Sequence, residues 1–366
     1  MSKKSLRELI NEDLAYIKQS TASDEDDNDL YEFEDIDDLP PNGTGIYIFK
    51  HGEVVSAIKR EFRSSRKDIL KSLFKESSWK PFAIIEANLV SELDNLGNQF
   101  ANFKEVIELC QRNLHLFRLA TPEVISFPPI LLTGPPGVGK TRFMSELAKV
   151  LGTDFFSLDF STLSSGFVLN GGSSSWSDSQ PGFISESIRK SRFANPVIML
   201  DEIDKVTADT RFDPLGPLYG LLESHTACSY RDEYLDIPMN LSGVLWVATA
   251  NEPDSIPAPI RSRMIEIKIN APDSEQSRNI VKAIYKELLN NYPWGKYFSV
   301  ELDEAVVDKF VGYSPRLMKL ELEKALAKAA YRSDTTNRPI CIHYKDVDSK
   351  AHNKEEERGI GFLAKI

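Results

Sequence analysis

Apolar and polar positions follow several different rhythms along the 366-residue chain. Near the start, Leu6, Ile10, Leu14 and Ile17 recur three or four positions apart and predict an amphipathic helix within residues 1–20. The rhythm then stops at "DEDDNDLYEFEDIDD" (24–38) and "LPPNGTG", which predict a linker or arm over 21–44. "GIYIFKHGEVVSAIK" reads as a short strand pair and "RSSRKDILKSLFKE" as a helix, giving a small region of unassigned fold at 45–95. A helical pattern runs from Ser91 to Leu119. From residue 128 onward, short apolar runs ("PILLTG", "PVIMLD", "VLWVATAN") alternate with helical segments, as in an α/β fold with a parallel sheet. After Pro272 the pattern is helical to about Ala330. The boundaries expected from these changes are a sheet subdomain at 96–271, a helical subdomain at 272–345 and a tail at 346–366.

Charge sharpens this picture at one place. The chain carries a net −11, and the run 24–38 holds ten acidic residues and no basic one, so the remainder stands at −1. A nearly neutral body lacks the basic footprint of a dedicated nucleic-acid binder. The acidic run is either a solvated spacer or an interaction arm, the latter suggested by Leu30, Tyr31, Phe33 and Ile36 set among the charges. No apolar stretch approaches the ~20 residues that span a bilayer, and the first residues lack the apolar core of a secretion signal. Cys110, Cys228 and Cys341 are scattered and stand apart from the five histidines, which indicates neither a disulfide framework nor a zinc site. A cytoplasmic location is the plain expectation.

Three strand ends carry candidate chemistry. "PILLTGPPGVGKTRF" places Gly134, Pro135, Pro136, Gly137, Val138, Gly139, Lys140 and Thr141 between an apolar strand and a helix. Glycines let the backbone curl so that its N–H groups surround phosphate oxygens, and the helix N-terminus adds a favourable field. Lys140 is expected to reach the β- and γ-phosphates of ATP, and the Thr141 hydroxyl to bind Mg²⁺. "PVIMLDEIDK" ends a buried strand in Asp201, expected to hold the Mg²⁺ shell, and Glu202, expected to orient the attacking water. "VLWVATAN" ends in Asn251, whose amide suits the water or the γ-phosphate.

Together these elements resemble the AAA+ ATPase superfamily. The stretches "LDEIDKV", "FDPLGPLYGLLE" and "YRDEYLDIPMNLSGVLWVATANEPDSIPAPIRSRM" resemble, more narrowly, the ATPase module of Lon-type proteases over roughly residues 100–335. The resemblance implies a P-loop parallel sheet with helices on both faces, a small helical lid, and an extra N-terminal region. It also implies a homo-oligomeric ring of six subunits that hydrolyses ATP at subunit interfaces and draws polypeptide through a central pore. Arg263, in "IRSRM", matches the arginine that enters a neighbour's site, with Arg261 as the competing choice. Arg316 in "GYSPRLMKL" matches the lid arginine that reaches the γ-phosphate, and Ser314 and Pro315 read as N-cap and first residue of its helix.

In the same family, an aromatic residue stands five positions before a Pro-Gly pair in a pore loop. "WSDSQPG" sets Trp176 there, to grip a translocating chain, unless the indole folds back on its own subunit. Serines flank it where the family carries basic and apolar residues. The Lon peptidase with its Ser–Lys dyad has no counterpart here, so proteolysis by this chain is not expected. The tripeptide Ile360-Gly361-Phe362 resembles the docking loops of unfoldases that serve a separate peptidase ring; an ordinary chain end is the other reading. The leading expectation is a motor that unfolds or remodels proteins. The alternatives are an ATP-gated assembly switch or scaffold in a larger complex, with an adaptor role for the N-terminal region, the ATPase subunit of a two-chain protease, and, least favoured, a nucleic-acid motor.

Overall fold

A computed structural model describes residues 43–119, 124–163, 167–173, 179–206, 213–333 and 339–348. The expected helix at 1–20, nearly all of the acidic run's linker, Trp176 and Ile360-Gly361-Phe362 lie outside the described residues.

Strand β1 (Gly45–Tyr47) leads into helices α1 (His51–Arg60) and α2 (Ser64–Phe74). Strand β2 (Trp79–Pro81) then pairs antiparallel with β1. The strand pair expected within "GIYIFKHGEVVSAIK" is thus corrected: its second half is helix. Val54, Val55, Ala57 and Ile58 are all buried in α1, and the spacing 54, 57, 58 is that of one helix face. The β-branched side chains of Val54, Val55 and Ile58 favour strands only where a pleated, half-buried surface receives them. Here β1 takes its partner from Trp79–Pro81 instead.

Helices α3 (Leu89–Gln99) and α4 (Lys104–Phe117) precede strand β3 (Ile130–Thr133). There follow α5 (Lys140–Val150), β4 (Phe155–Asp159), the short α6 (Phe167–Asn170), α7 (Phe183–Lys190) and β5 (Val197–Asp201). Two short helices, α8 (Leu218–Leu221) and α9 (Ser224–Ala227), lead to a hairpin of β6 (Tyr230–Arg231) and β7 (Pro238–Met239). Strand β8 (Leu245–Ala250), helix α10 (Ala258–Arg261) and strand β9 (Ile265–Lys268) come next. Helices α11 (Ser274–Asn291), α12 (Glu304–Asp308) and α13 (Pro315–Arg332) complete the series.

The chain divides into two compact units. The first contains residues 43–90, 108–133 and 144–267. Its sheet has the order β4-β5-β8-β3-β9, with β4·β5, β5·β8 and β3·β8 parallel. Strands β3 and β8 are buried along their whole length and β5 along all but its last residue. Such unbroken apolar runs belong to strands covered on both faces. Ile48, Val54, Ile58, Leu70 and Leu73 join the same core cluster as Leu131, Ile198, Leu200 and Trp246, so the region from β1 to α2 shares the core of the sheet.

The second unit contains residues 91–107, 134–143 and 268–348 where described. Its core sets Ile280, Val281, Ile284, Tyr285 and Leu288 of α11 with Met318, Leu322, Ala325, Leu326 and Ala329 of α13. Each large aliphatic side chain buried in this way contributes about 1.5–3 kcal/mol. Asp273 and Gln276 form a reciprocal capping box at the start of α11. Ser314 caps α13, its hydroxyl accepting from Leu317 N–H, and Pro315 is the first helical residue, as the sequence predicts. Among the described residues no helix is long and apolar enough to cross a membrane.

Candidate nucleotide site

The parallel pairing brings the C-terminal ends of β3, β5 and β8 to one edge of the sheet. Register places Thr133 opposite Ala250, and Leu200 opposite Ala248, so Asp201 follows at the level of Thr249. The buried chain of β3 delivers Gly134 directly after Thr133.

From Gly134 the loop turns on three glycines with positive φ: Gly134 at 145°, Gly137 at 77° and Gly139 at 100°. At Gly134 a side chain is impossible, since a Cβ would lie 2.1 Å from the Ile269 carbonyl oxygen. Lys140 opens α5, is buried, and donates from Nζ to the Gly134 carbonyl (2.7 Å). Its neighbours Pro135, Pro136 and Thr141 are exposed, while Val138 is buried and anchors the loop. An exposed, glycine-bent backbone ending in a lysine at a helix N-terminus is built to surround an anion. In the same unit, the Arg316 N–H donates to the Gly137 carbonyl (3.4 Å), and a Cβ on Gly137 would come within 3.5 Å of the Arg316 Cβ. The start of α13 is therefore seated on the glycine loop, and Arg316 itself is exposed there.

In the first unit, Asp201 ends β5 and Glu202 follows in the left-handed region, at φ 54° and ψ 46°. A non-glycine residue held there costs about 1–3 kcal/mol and persists only where its surroundings fix it. The fixing group is Thr249. Its hydroxyl oxygen accepts the Glu202 N–H (2.9 Å) and its proton goes to Asp201 Oδ1. Thr249 is completely buried, so these bonds are made without competing water. Asn251 is half-buried at the end of β8. The next N–H, that of Glu252, donates to Asp204 Oδ2 (3.0 Å), which fastens the turn after β5 to the turn after β8. Sequence alone does not single out Thr249 or Asp204. For Thr249 the one mark in the sequence is a lone hydroxyl inside an otherwise apolar strand.

The two candidate arginines differ in their partners. Arg261 spends both Nη groups on carboxylates, Asp254 (2.9 Å) and Glu266 (2.8 Å). Arg263 is held by Glu223 and by the Pro259 carbonyl. Trp176 is outside the described residues, but the stems of its loop are described. Gly172 N–H donates to the Gln180 carbonyl (3.2 Å), and the buried Asp232 carboxylate accepts from Gly182 N–H (2.7 Å) and the Ser185 hydroxyl (2.6 Å). Burial pushes the Asp232 carboxyl above its usual range, and those donors draw it partly back.

Residues 130–272 match the AAA family, described as the ATPase family associated with various cellular activities. Similar curated proteins include Lon protease 1 of Syntrophotalea carbinolica, 38% identical over 61% of this chain and 28% of the relative. The Lon protease of Aster yellows witches'-broom phytoplasma is 30% identical over 70% of this chain and 32% of its own length. The mitochondrial Lon protease homolog of Aspergillus niger is 31% identical over 56% and 19%. The matched segment thus spans about a third or less of these relatives. Among solved structures, Hsp104 in a closed-state reconstruction with ATPγS and FITC casein superposes with a TM-score of 0.54 at 16% identity, covering 67% of this chain and 48% of that one. That likeness concerns the fold. With the glycine loop at one strand end, two carboxylates at another and this match across both, the chain carries an ATPase domain of the AAA family, similar to the ATPase region of Lon proteases.

Proposed function

We propose that this chain is an ATP-hydrolysing motor that works as a homo-oligomeric ring, of six subunits, on protein substrates. The observation that carries the reading is the glycine loop: three positive-φ glycines, Lys140 at the start of α5, and Arg316 seated against Gly137. In this reading Gly134, Pro135, Pro136, Gly137, Val138 and Gly139 wrap the phosphates. Lys140 leaves the loop carbonyls to meet the β- and γ-oxygens. Arg316 closes on the γ-phosphate from the helical subdomain at 272–345. Glu202 orients and polarises a water, and Asn251 steadies that water or the γ-phosphate.

Thr141 and Asp201 offer a hydroxyl and a carboxylate, the hard oxygen donors that suit Mg²⁺. Bound with ATP, the metal would neutralise charge on the phosphates as it redistributes. Arg263 completes the site of the adjacent subunit, and Trp176 converts each stroke into a pull on polypeptide by apolar contact. The large ATPase subdomain is assigned to 96–271, and the cytoplasm is the compartment that suits such a motor.

Glu202→Gln is expected to bind ATP, assemble and stop turning over, while Lys140→Ala fails to retain nucleotide. Phosphate release and nucleotide binding on the same preparations decide it, and wild-type turnover by Glu202→Gln would overturn the assignment. Trp176→Ala should keep basal ATPase and lose unfolding of a tagged protein. Loss of both together would make the indole structural.

A further inference from the structure

Arg263 is a clamped cation. It lies just past α10, with its N–H on the Ile260 carbonyl (3.1 Å). The side chain meets three elements. Nε donates to Glu223 Oε1 (2.5 Å), Nη1 donates to the Pro259 carbonyl, and the guanidinium carbon stands 5.9 Å from the Tyr219 ring centroid. Tyr219 belongs to α8, Glu223 is the residue that opens α9, and Pro259 lies in α10. Nη2 makes no hydrogen bond among the described residues, in contrast to Arg261, whose Nη1 and Nη2 both end on carboxylates. The Arg263 and Glu223 side chains are 28% and 32% exposed, so the pair sits at the surface without being loose in solvent.

A guanidinium is a planar fork with five donors and no accessible deprotonation. Holding it by Nε fixes the plane and leaves the Nη2 end as the donor for an incoming anion. Holding it also removes rotamer freedom that an unrestrained arginine would lose on engaging a phosphate. The cost is a nearby negative charge, spread over a carboxylate whose other oxygen faces His225 Nε2 at 3.4 Å. We propose that Glu223 is the positioning residue for Arg263: it presents the Nη2 end of the guanidinium to the phosphates bound by a neighbouring subunit. The inference rests on the trans role assigned to Arg263 under the proposed function. Glu223 touches no substrate and acts only through the arginine.

The test is a double-mutant cycle in the full-length chain: wild type, Glu223→Gln, Arg263→Ala, and both together. Steady-state ATPase is measured at one protomer concentration over an ATP titration, with melting temperature recorded for each. Arg263→Ala is expected to lower kcat by about 10³-fold or more. Glu223→Gln is expected to lower kcat by about 10-fold with little change in KM, because its own subunit's ATP pocket is untouched. The double variant should be no slower than Arg263→Ala alone, since a clamp has no effect once its cargo is gone. Glu223→Asp, which keeps the charge on a shorter arm, should fall between wild type and Glu223→Gln, and it serves if Glu223→Gln melts early. Wild-type kcat in Glu223→Gln, effects that multiply in the double variant, or Glu223→Asp slower than Glu223→Gln would each overturn the inference. Wild-type kcat in Arg263→Ala would overturn the underlying trans reading instead, so the two failures are told apart.

Discussion

At the residue scale, the candidate site depends on side chains that hold other side chains. Thr249 accepts from Glu202 N–H and donates to Asp201, so one hydroxyl fixes both the carboxylate at the end of β5 and the left-handed turn after it. Thr249→Val keeps the shape and removes both bonds. It leaves the part-buried Glu202 N–H without its acceptor and frees Glu202 to relax out of its costly conformation. The expected result is a kcat lower by about 10²-fold, the scale set by a small misplacement of a reacting group. ATP affinity should change little, and Thr249→Ser should keep most of the activity. Nucleotide titration followed by single-turnover hydrolysis measures the two separately, and full single-turnover rate in Thr249→Val would remove the positioning role. Asp201, Glu202 and Asn251 were legible in sequence because carboxylates and amides at the end of apolar runs are conspicuous. Thr249 was not, because a β-branched residue is ordinary inside a strand and only register sets it level with Asp201. Glu223 was hidden for a related reason: it is forty positions from Arg263, and folding alone brings them together.

At the element scale, local chemistry was legible and pairing was not. Ser314 and Pro315 announce the start of α13, since a cap and a fixed φ act within one turn. The partner of β1 could not be found in the same way. Nothing near Gly45–Tyr47 names Trp79–Pro81, and adjacent β-branched residues supplied a false candidate that folds as α1. The other end of α13 has a contact whose strength depends on pH. Arg332 reaches Asp346 through Nε (3.1 Å) and Nη2 (2.6 Å), and the His343 N–H adds a third bond (2.8 Å), tying the last helical turn to the segment after it. Burial alone would raise the Asp346 carboxyl, but the Arg332 hydrogen bond and charge, with the His343 N–H, hold it below its ordinary value. A folded-state value below the unfolded one means that the stabilisation is present above the ordinary aspartate range, near about 4, and is lost as pH falls through the folded value. Asp346→Asn should therefore melt below the wild type at neutral pH, and the gap should close on acidification toward about pH 3. Calorimetry on the pair across that range checks it, and a gap independent of pH would assign the contact no ionic contribution.

At the scale of the whole molecule, the proposed motor requires that a subunit be incomplete by itself. The glycine loop and Arg316 belong to one chain, and so do Asp201, Glu202 and Asn251, yet Arg263 is assigned to the site next door. A head-to-tail interface that closes into a ring gives every pocket one such neighbour. Two crippled chains then become complementary. Arg263→Ala keeps an intact pocket and lacks the donated arginine, while Lys140→Ala keeps the arginine and lacks the pocket. Each alone should be nearly inactive. In an equal, freely exchanged mixture, a pocket is intact in half the positions and its neighbour supplies an arginine in half, so about a quarter of interfaces are whole. Recovered ATPase should approach about that fraction of wild type if interfaces fire independently, and less if the ring requires several together. The same logic makes wild-type specific activity fall on dilution, as subunits part and arginines leave their neighbours' sites. Mixing curves and dilution series on labelled subunits, with co-assembly shown by energy transfer, measure both effects. Activity that is independent of dilution in a solitary chain, or verified mixed rings that recover nothing, would place the arginine in its own subunit and leave no mechanical reason for a ring.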